Sequence, residues 1–345
     1  MRISSAEALD LLEHEELATL GAMADLARRE KHRDGVVTYI IDRNVNYTNV
    51  CNAFCSFCAF YRPPHHDEGW TLPYETIEKK VEETYALGGN QILLQGGHNP
   101  NLKIDYYEDL FTRLKARFPD LWLHALSAPE IVHIYRSSRL TLAETLTRLR
   151  AAGLDSIPGG GAEILVDGVR KRLMKNKAST AEWIEVHETA HGMGLRTTAT
   201  MMFGHIETRA DRIEHLQVLR DLQDRTGGFT AFIGWTFQPG HTELGGQEAT
   251  TAEYLRTMAV ARVFLDNVDN VQASWVTQGP KVGSASLAFG VNDMGSTMIE
   301  ENVVSAAGTV HHMAEPAIVA AIRDAGFTPM RRTMAYERLG APLRG

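Results

Sequence analysis

Three cysteines lie close together in the chain, and the sequence contains no others. They are Cys51, Cys55 and Cys58, at the spacing C-x3-C-x2-C. Thiolates this close in sequence can surround one compact soft-metal centre, because sulfur is a preferred ligand of iron–sulfur clusters and of zinc. A four-iron cluster usually takes four cysteines, so three leave one iron open to bind a substrate or a cofactor. The spacing therefore favours a [4Fe-4S] cluster with one open coordination position.

Two other uses of these cysteines fit the sequence less well. A disulfide framework is disfavoured, because the number of cysteines is odd and no secretion signal or extracellular pattern is seen. A Cys3His zinc site is the other alternative, with His65 or His66 as the fourth ligand. Zinc sites usually pair C-x2-C elements at a distance, whereas this triplet stands alone. A non-catalytic zinc-binding module therefore stays open as an alternative of another class.

Composition and charge exclude several classes of function. The chain has 345 residues, of which 44% are hydrophobic, enough for two average domains or one α/β barrel. The net charge of −8 argues against a nucleic-acid-binding surface. No apolar run reaches the roughly 18 residues of a membrane span, so we expect no membrane partner. Reduced cysteines and an exposed cluster predict a cytoplasmic protein.

Strand-like and helical patterns alternate along the chain. The predicted strands are residues 36–41, 91–94, 121–126, 154–158, 196–203, 229–237, 271–276 and 293–297. This alternation predicts an α/β fold, a (β/α)8 TIM-type barrel. We expect one domain over residues 1–345, divided into an N-terminal helical extension (1–35), the barrel (36–300) and a C-terminal extension (301–345). Arg331 and Arg332 in the last extension are expected to be solvated.

Glycines follow two of the predicted strands. Parallel barrels carry their chemistry on the loops after the strands, where the cysteine loop also lies. Gln95-Gly96-Gly97 ends the second strand, and a tight turn explains these glycines as well as a ligand does. Residues 159–161 are three consecutive glycines after the fourth strand, and they cost backbone entropy on folding. Close approach to a bulky ligand at the barrel mouth would account for them.

Charged residues near the strand ends are candidates for binding and proton transfer. Glu163 follows the glycine run, where a carboxylate can bind ribose hydroxyls or an ammonium group. Arg170, on a short predicted helix, can pair with a carboxylate. His205 and Glu207 follow the fifth strand, and a histidine can accept or donate a proton near neutral pH. Asp293, near the eighth strand, is a candidate substrate contact.

The cysteine spacing, with Phe57 just before the last cysteine, resembles that of the radical S-adenosylmethionine (SAM) enzymes. The resemblance implies that SAM chelates the open iron through its amino and carboxylate groups. An electron from the reduced cluster then cleaves SAM to methionine and a 5′-deoxyadenosyl radical. The resemblance also implies cofactor contacts for residues on the loop and after the strands. These are Phe57, Gln95, Gly96, Gly97, Ser127, Gly160, Glu163 and Arg170.

Longer stretches resemble the futalosine-pathway enzymes of menaquinone (vitamin K2) biosynthesis and their deazaflavin-synthase relatives. Residues 40–51 are similar to the start of that group. The stretches most similar to the cyclic dehypoxanthine futalosine synthase family are residues 155–165, 197–207, 229–239 and 272–281. One loop departs from the family: His98-Asn99-Pro100 stands where a leucine and then a histidine are expected before the proline. No role is therefore carried over to a histidine of that loop.

The resemblance implies a radical cyclisation of a small molecule, dehypoxanthine futalosine. The 5′-deoxyadenosyl radical removes a hydrogen from the ribose C4′, and the carbon radical attacks the benzoate ring to close a spiro system. Loss of an electron and a proton restores aromaticity, for which Glu163, His205 and Glu207 are candidate bases. Candidate substrate contacts, including cations for the substrate carboxylate, are Arg43, Arg62, Trp235, Lys281 and Asp293.

The family assignment leaves the substrate and the reductant to be settled. A sister radical SAM enzyme, either aminofutalosine synthase or a deazaflavin-precursor synthase half, would share the barrel and the cluster but use another substrate. Reduction of the cluster implies an electron donor such as flavodoxin or ferredoxin.

Overall fold

The chain forms a curled sheet of ten parallel strands covered by helices. The structure, a computed structural model, describes residues 2–340, so Met1 and residues 341–345 of the two predicted extensions lie outside the described residues. The strands are β1 (Val36–Ile40), β2 (Arg43–Asn46), β3 (Gln91–Gln95), β4 (Trp122–Ala125), β5 (Ser156–Ile157), β6 (Arg196–Phe203), β7 (Phe229–Thr236), β8 (Asn270–Gln272), β9 (Asp293–Ser296) and β10 (Thr328–Arg331).

The first strand continues beyond the predicted residues 36–41 as a second segment, and the two segments pair on opposite sides. The strand order is β10-β1-β9-β8-β7-β6-β5-β4-β3-β2. The first segment, β1, pairs with β9 and β10. The second segment, β2, pairs only with β3 among the described strands. Residues 41–42 connect the two segments, so the chain itself links the two ends of the curled sheet. The predicted TIM-type α/β fold is confirmed, with β2 and β10 as additional strands.

Helices connect the strands and cover the outside of the sheet. They are α1 (Ser5–His14), α2 (Leu17–Lys31), α3 (Tyr74–Ala86), α4 (Ile104–Arg117), α5 (Ala128–Ser138), α6 (Leu142–Ala152), α7 (Asp167–Leu173), α8 (Thr180–Gly192), α9 (Arg209–Thr226), α10 (Thr251–Phe264), α11 (Trp275–Gln278), α12 (Pro280–Ser286) and α13 (Glu315–Asp324). Reciprocal capping hydrogen bonds, in which a serine or threonine pairs with an acidic residue three positions later, begin α1, α6, α8 and α9. Within residues 2–340 no helix has the length and apolar character needed to cross a membrane.

The strands are buried because helices cover one face and the barrel interior covers the other. Every residue of β1 and β2 is buried, and in β6 only the first residue, Arg196, is exposed. This pattern is typical of parallel sheets, whose strands lose the alternation of apolar and polar residues. Because the strands are parallel, the carboxyl ends of β2, β3, β5 and β6 lie at one edge of the sheet, and the loops at this edge carry the candidate site.

Three features of the fold differ from the sequence prediction. The predicted strand 271–276 ends at Gln272, and the tryptophan after it begins the short helix α11. The prediction missed β2, α5 and β10, and the N-terminal extension holds two helices instead of one. That residues 1–345 form one domain stays a prediction.

The C-terminal extension sends a charged side chain into the barrel. Arg332, which follows β10, is buried, so the prediction of a solvated side chain is wrong for this residue. Its guanidinium donates two hydrogen bonds to the carboxylate of Asp293, at 2.5 and 2.9 Å. The Thr38 hydroxyl donates to the same carboxylate. The Asp293 carboxylate is therefore hydrogen-bonded to other protein groups inside the barrel, and the residue is fully buried.

We expect Arg332→Ala to lower the free energy of unfolding by about 3–5 kcal/mol, because the substitution leaves the buried Asp293 carboxylate without its partner. Chemical denaturation of the purified apoprotein measures the change. Arg331→Ala is the matched control, because Arg331 is the adjacent residue and its guanidinium pairs with Glu315. The Arg331 side chain is 41% exposed. The control should cost at most about 1 kcal/mol. Equal effects of the two substitutions would contradict a structural role for the buried pair.

Candidate active site

The cysteine loop leaves β2 and is fastened to its surroundings by backbone hydrogen bonds. The Cys51 N–H donates to the Arg62 carbonyl at 2.8 Å, and the Arg62 N–H donates to the Asn49 carbonyl at 2.8 Å. The Cys58 N–H donates to the Cys55 carbonyl at 3.2 Å and closes a turn between these two cysteines. These bonds hold all three thiols on one short loop at the carboxyl end of the sheet.

One cavity brings the three cysteines together with residues from several strand ends. Its lining includes most of the cofactor contacts expected from the sequence. These are Cys51, Cys55, Phe57, Cys58, Gln95, Gly96, Gly97, Ser127, Gly160 and Glu163. Trp235, a predicted substrate contact, lines the same cavity, together with the aromatic residues Phe60, Tyr61 and Phe237. A small molecule in this cavity would therefore contact the thiols and the strand-end loops at the same time.

Burial keeps the three thiols protonated in the absence of metal. It raises the pKa of Cys51 and Cys58 and raises that of Cys55 to about 12. Metal ligation deprotonates a coordinating thiol outright. Within residues 2–340 no group of three or more histidine, cysteine or acidic side chains converges tightly enough to hold one metal ion. A cluster does not require such convergence, because its thiolates bind separate iron atoms. The three cavity-lining thiols therefore fit an iron–sulfur cluster.

A buried glutamate joins the turn after β3 to the start of α5. The carboxylate of Glu130 accepts hydrogen bonds from the Gly96 N–H at 2.9 Å and from the Tyr47 hydroxyl at 2.8 Å. It also accepts from the N–H and the hydroxyl of Ser127, at 2.7 and 2.6 Å. Burial raises the pKa of Glu130, against the lowering effect of these hydrogen bonds. The carboxylate fixes the position of two loops that line the cavity.

Close packing of loops explains why glycines occupy these positions. A Cβ atom on Gly97 would lie 2.2 Å from the Val50 carbonyl oxygen, and one on Gly96 would lie 2.6 Å from the Tyr47 ring. In the run after β5, a Cβ on Gly160 would lie 2.7 Å from the side-chain amide of Gln95. Real Cβ atoms essentially never have such contacts, so a larger residue at Gly97 would move the backbone, whereas one at Gly160 would displace the Gln95 side chain.

Glu163 forms a buried ion pair at the cavity wall. The Lys177 ammonium lies 2.7 Å from its carboxylate, and the side chains are only 12% and 6% exposed, respectively. The ammonium also lies 5.4 Å from the centre of the Phe57 ring. Burial lowers the pKa of Lys177, but the charge and hydrogen bond of the Glu163 carboxylate outweigh this effect and raise it. The cavity wall beside the cysteine loop therefore carries a largely buried ion pair.

Arg170 lies behind the cavity wall and does not line the cavity. Its buried guanidinium donates to the carbonyls of Gly161, Ala162 and Ile164 and to the Ala178 carbonyl. It thus holds the backbone on both sides of Glu163. The structure places it as a support of the glycine run, without direct access to a ligand in the cavity.

His205 and Glu207 form a buried network next to the cavity but outside its lining. Both side chains are fully buried, and the His205 Nδ1 lies 2.9 Å from the Glu207 carboxylate. The Arg212 guanidinium donates to Glu207 at 2.8 Å, and the N–H groups of Gly204 and His205 donate to it as well. Burial raises the pKa of Glu207, but hydrogen bonds and charges from His205 and Arg212 outweigh it and lower the pKa to about 2.

The predicted cations for a substrate carboxylate lie apart from one another. Arg43 is buried and pairs with Glu83 and Glu300, at 2.9 and 3.4 Å. Arg62 lines a second cavity that shares Asn46, Ala59 and Phe60 with the first, and its guanidinium lies 2.6 Å from Glu68. Lys281 is exposed and lines neither cavity, and Asp293 lies within the barrel.

Two charged residues that line the cavity, Glu130 and Lys177, are not among the predicted site residues. For Glu130 a signal existed: Ser127 and Glu130 stand three positions apart before an apolar run, which is the pattern of a capping box. Nothing in the sequence marked Lys177, because its partner Glu163 lies fourteen positions away across a helix and a loop.

Comparisons with known proteins agree with the geometry of the site. The profile of the Radical SAM superfamily matches residues 45–219, and that of the CofH/MqnC C-terminal region matches residues 226–344. The chain is 48% identical to the cyclic dehypoxanthine futalosine synthase of Streptomyces coelicolor, over 98% of this chain and 86% of that protein. It is also 48% identical to the enzyme of the same name from Halalkalibacterium halodurans, over 97% and 91% of the two chains.

More distant similarities place the chain in a wider group. It is 40% identical to the aminodeoxyfutalosine synthase of Thermus thermophilus, over 98% of this chain and 92% of that protein. Among solved structures, the crystal structure of methylornithine synthase superposes with a TM-score of 0.73 at 17% identity, covering 96% of this chain and 95% of that one. At this identity the superposition supports the fold alone.

We expect Glu207→Gln to lower the free energy of unfolding at pH 7 by roughly 2–3 kcal/mol, because the ionised carboxylate is stabilised by His205 and Arg212. A depressed pKa stabilises the fold above pH 4.5, and this stabilisation is lost as the pH falls toward 2. The difference between the two apoproteins should therefore shrink over that range in chemical denaturation. Glu188→Gln, at a half-exposed surface pair, is the control and should change little. A pH-independent difference would show that the charge of Glu207 does not stabilise the fold.

Proposed function

The chain belongs to the radical SAM superfamily, in the group that contains the cyclic dehypoxanthine futalosine synthases, and we propose that it converts dehypoxanthine futalosine to cyclic dehypoxanthine futalosine. It is a radical SAM enzyme and uses a [4Fe-4S] cluster and SAM. The alternative of a non-catalytic zinc module is therefore wrong. The product would feed menaquinone biosynthesis.

The observation that carries the proposal is the single cavity in which the three thiols meet the loops after β3, β5 and β7. Identity over almost the whole chain then favours the cyclase, at 48%, over aminodeoxyfutalosine synthase, at 40%. The sister reaction stays the second candidate because that relative also spans nearly the full chain.

Cys51, Cys55 and Cys58 would ligate the cluster. When bound, the cluster and SAM supply the 5′-deoxyadenosyl radical that starts the reaction. Phe57, the Gln95-Gly96-Gly97 turn and Gly160 offer apolar surface and unhindered backbone to SAM on the cavity wall. Glu163 offers a carboxylate to the SAM ribose or amino group, with Lys177 holding it in place. Arg170 would act by keeping this backbone in position.

The remaining cavity wall would enclose the substrate. Trp235, Phe237 and Phe60 provide aromatic surface that excludes water and other hydrogen donors from a radical. Arg62 is the best placed of the three cations proposed for the substrate carboxylate, because it lines the adjoining cavity. Of the three candidate bases, Glu163 lines the cavity, whereas His205 and Glu207 are buried in their own network. We favour the SAM-binding role for Glu163.

The proposed chemistry needs electrons at low potential and reduced thiols. An electron-carrier protein such as flavodoxin or ferredoxin would reduce the cluster. We propose the cytoplasm as its location, since disulfides are rare there and the three cysteines would stay available.

Replacing any one of Cys51, Cys55 and Cys58 by Ala should abolish 5′-deoxyadenosine and cyclic product, at least about a thousandfold below wild type, because the chain contains no spare cysteine. Anaerobic incubation with SAM, dithionite and dehypoxanthine futalosine, followed by mass spectrometry, measures both products. Wild-type protein is offered the aminodeoxyfutalosine synthase substrate in parallel. Turnover of that substrate alone would replace the proposed cyclase by the sister activity, and a cysteine variant with normal turnover would refute the cluster assignment.

Glu163→Gln should raise the SAM concentration needed for half-maximal cleavage about tenfold, because a charge-assisted contact of this kind contributes roughly 1.5–3 kcal/mol. 5′-Deoxyadenosine should fall together with the cyclic product. Glu207→Gln is the matched control, a buried carboxylate outside the cavity lining, and should leave SAM binding unchanged. Normal SAM cleavage with lost cyclic product would instead assign proton transfer to Glu163. Normal amounts of both products would remove it from the site.

A further inference from the structure

Three exposed cations lie on the outer side of the cysteine loop. Lys171 and Arg172 are in the last turn of α7, and Lys175 follows that helix. We call Lys171, Arg172 and Lys175 the basic edge. All three side chains are exposed, and within residues 2–340 none of them forms an ion pair with an acidic side chain. A group of cations without ion-pair partners is unexpected on a chain with a net charge of −8.

Residues next to the basic edge are hydrogen-bonded directly to the cysteine loop. The Ser56 N–H donates to the Leu173 carbonyl at 2.9 Å, and Cys55 and Met174 form an isolated antiparallel bridge. The Asn176 N–H donates to the Ala53 carbonyl at 3.2 Å, and its side-chain amide donates to the Asn52 carbonyl at 3.0 Å. Each cation of the basic edge therefore lies within two positions of a residue that contacts the cysteine loop.

Two acidic residues flank the basic edge without neutralising it. The charge of Lys171 acts on Asp167, one turn earlier, whose carboxylate accepts a hydrogen bond from the Thr180 N–H. Glu243 precedes Leu244, whose N–H donates to the Ser56 carbonyl at 2.8 Å. The three cations outnumber these two acids, so a partner that approaches the basic edge meets a net positive charge beside the cysteine loop.

We propose that the basic edge is the docking surface for an acidic one-electron carrier protein that reduces the cluster. The inference rests on the proposed function, in which the three cysteines hold that cluster. One electron leaves the reduced group of the carrier and enters the cluster, and no atom or proton is transferred. Positive charge on the enzyme and negative charge on the carrier speed their encounter and orient it. Docking on the outer side of the loop leaves the cavity open to the substrate.

The double variant Lys171→Glu/Lys175→Glu tests the proposal. Reduced flavodoxin is mixed with the cluster-loaded protein in a stopped-flow instrument, and bleaching of the cluster absorbance gives the rate of reduction. At low ionic strength we expect the second-order rate constant to fall about 10- to 100-fold. The dependence of the rate on salt should also flatten. Dithionite, a small chemical reductant, should reduce variant and wild type at the same rate.

Arg33→Glu/Arg196→Glu is the matched control. It reverses the same number of exposed charges at the amino-terminal ends of β1 and β6, at the opposite end of the sheet from the cysteine loop. The control pair should keep the wild-type rate with flavodoxin. Should Lys171→Glu/Lys175→Glu fail to retain a cluster, Lys171→Gln/Lys175→Gln makes the same comparison at half the charge change.

The outcomes separate this proposal from the proposed function. Cluster reduction is measured without SAM and without substrate, so it does not depend on which product the enzyme makes. Flavodoxin that reduces wild type, edge variant and control equally, or reduces none of them, overturns the docking surface. A slowed edge variant in a protein that makes no cyclic product upholds the docking surface and overturns the cyclase assignment.

Discussion

Close backbone contact between the cysteine loop and the turn after β3 is the constraint on which the site depends. Gly97 fits against the Val50 carbonyl because it has no side chain, and its N–H donates to the Thr48 carbonyl at 3.0 Å. Gly96 fits against Tyr47 and is held by Glu130. The thiols and the turn that faces them are thereby fixed to each other before any cofactor binds. Preorganised groups lose little freedom when a ligand arrives.

The ion pairs around the site fall into two groups: pairs that support the fold, and a pair that lies at the cavity wall. Glu207 with Arg212, and Asp293 with Arg332, are buried pairs that hold backbone or strands in place. Lys177 and Glu163 are also paired, but they lie at the cavity wall. A charge at the cavity can change partners when a ligand enters, whereas a charge buried among backbone groups cannot do so without leaving a partner unsatisfied.

The alternation of patterns was sufficient to predict the barrel, because apolar strands and capped helices are local features of the sequence. It was insufficient for Trp275, whose apolar neighbours suggested a longer strand, and for Arg332, whose burial depends on Asp293 about forty positions earlier. The residues that line the cavity also include some that were predictable from local sequence and some that were not. Cys51, Cys55, Cys58 and the glycine turns were visible from spacing and composition, whereas Lys177 becomes relevant only when the chain brings it beside Glu163.

The broken first strand has a consequence for the order of folding. β1 pairs with residues near 293 and 328, so the sheet cannot close until almost the whole chain has been synthesised. The cysteine loop, its partner turn after β3, Glu130 and the segment that ends at Lys177 all lie in the first half or so of the chain. Contacts between such residues can form while the later strands are still being made. The part of the site that surrounds the three thiols can therefore become ordered before β1 acquires its partner strands β9 and β10.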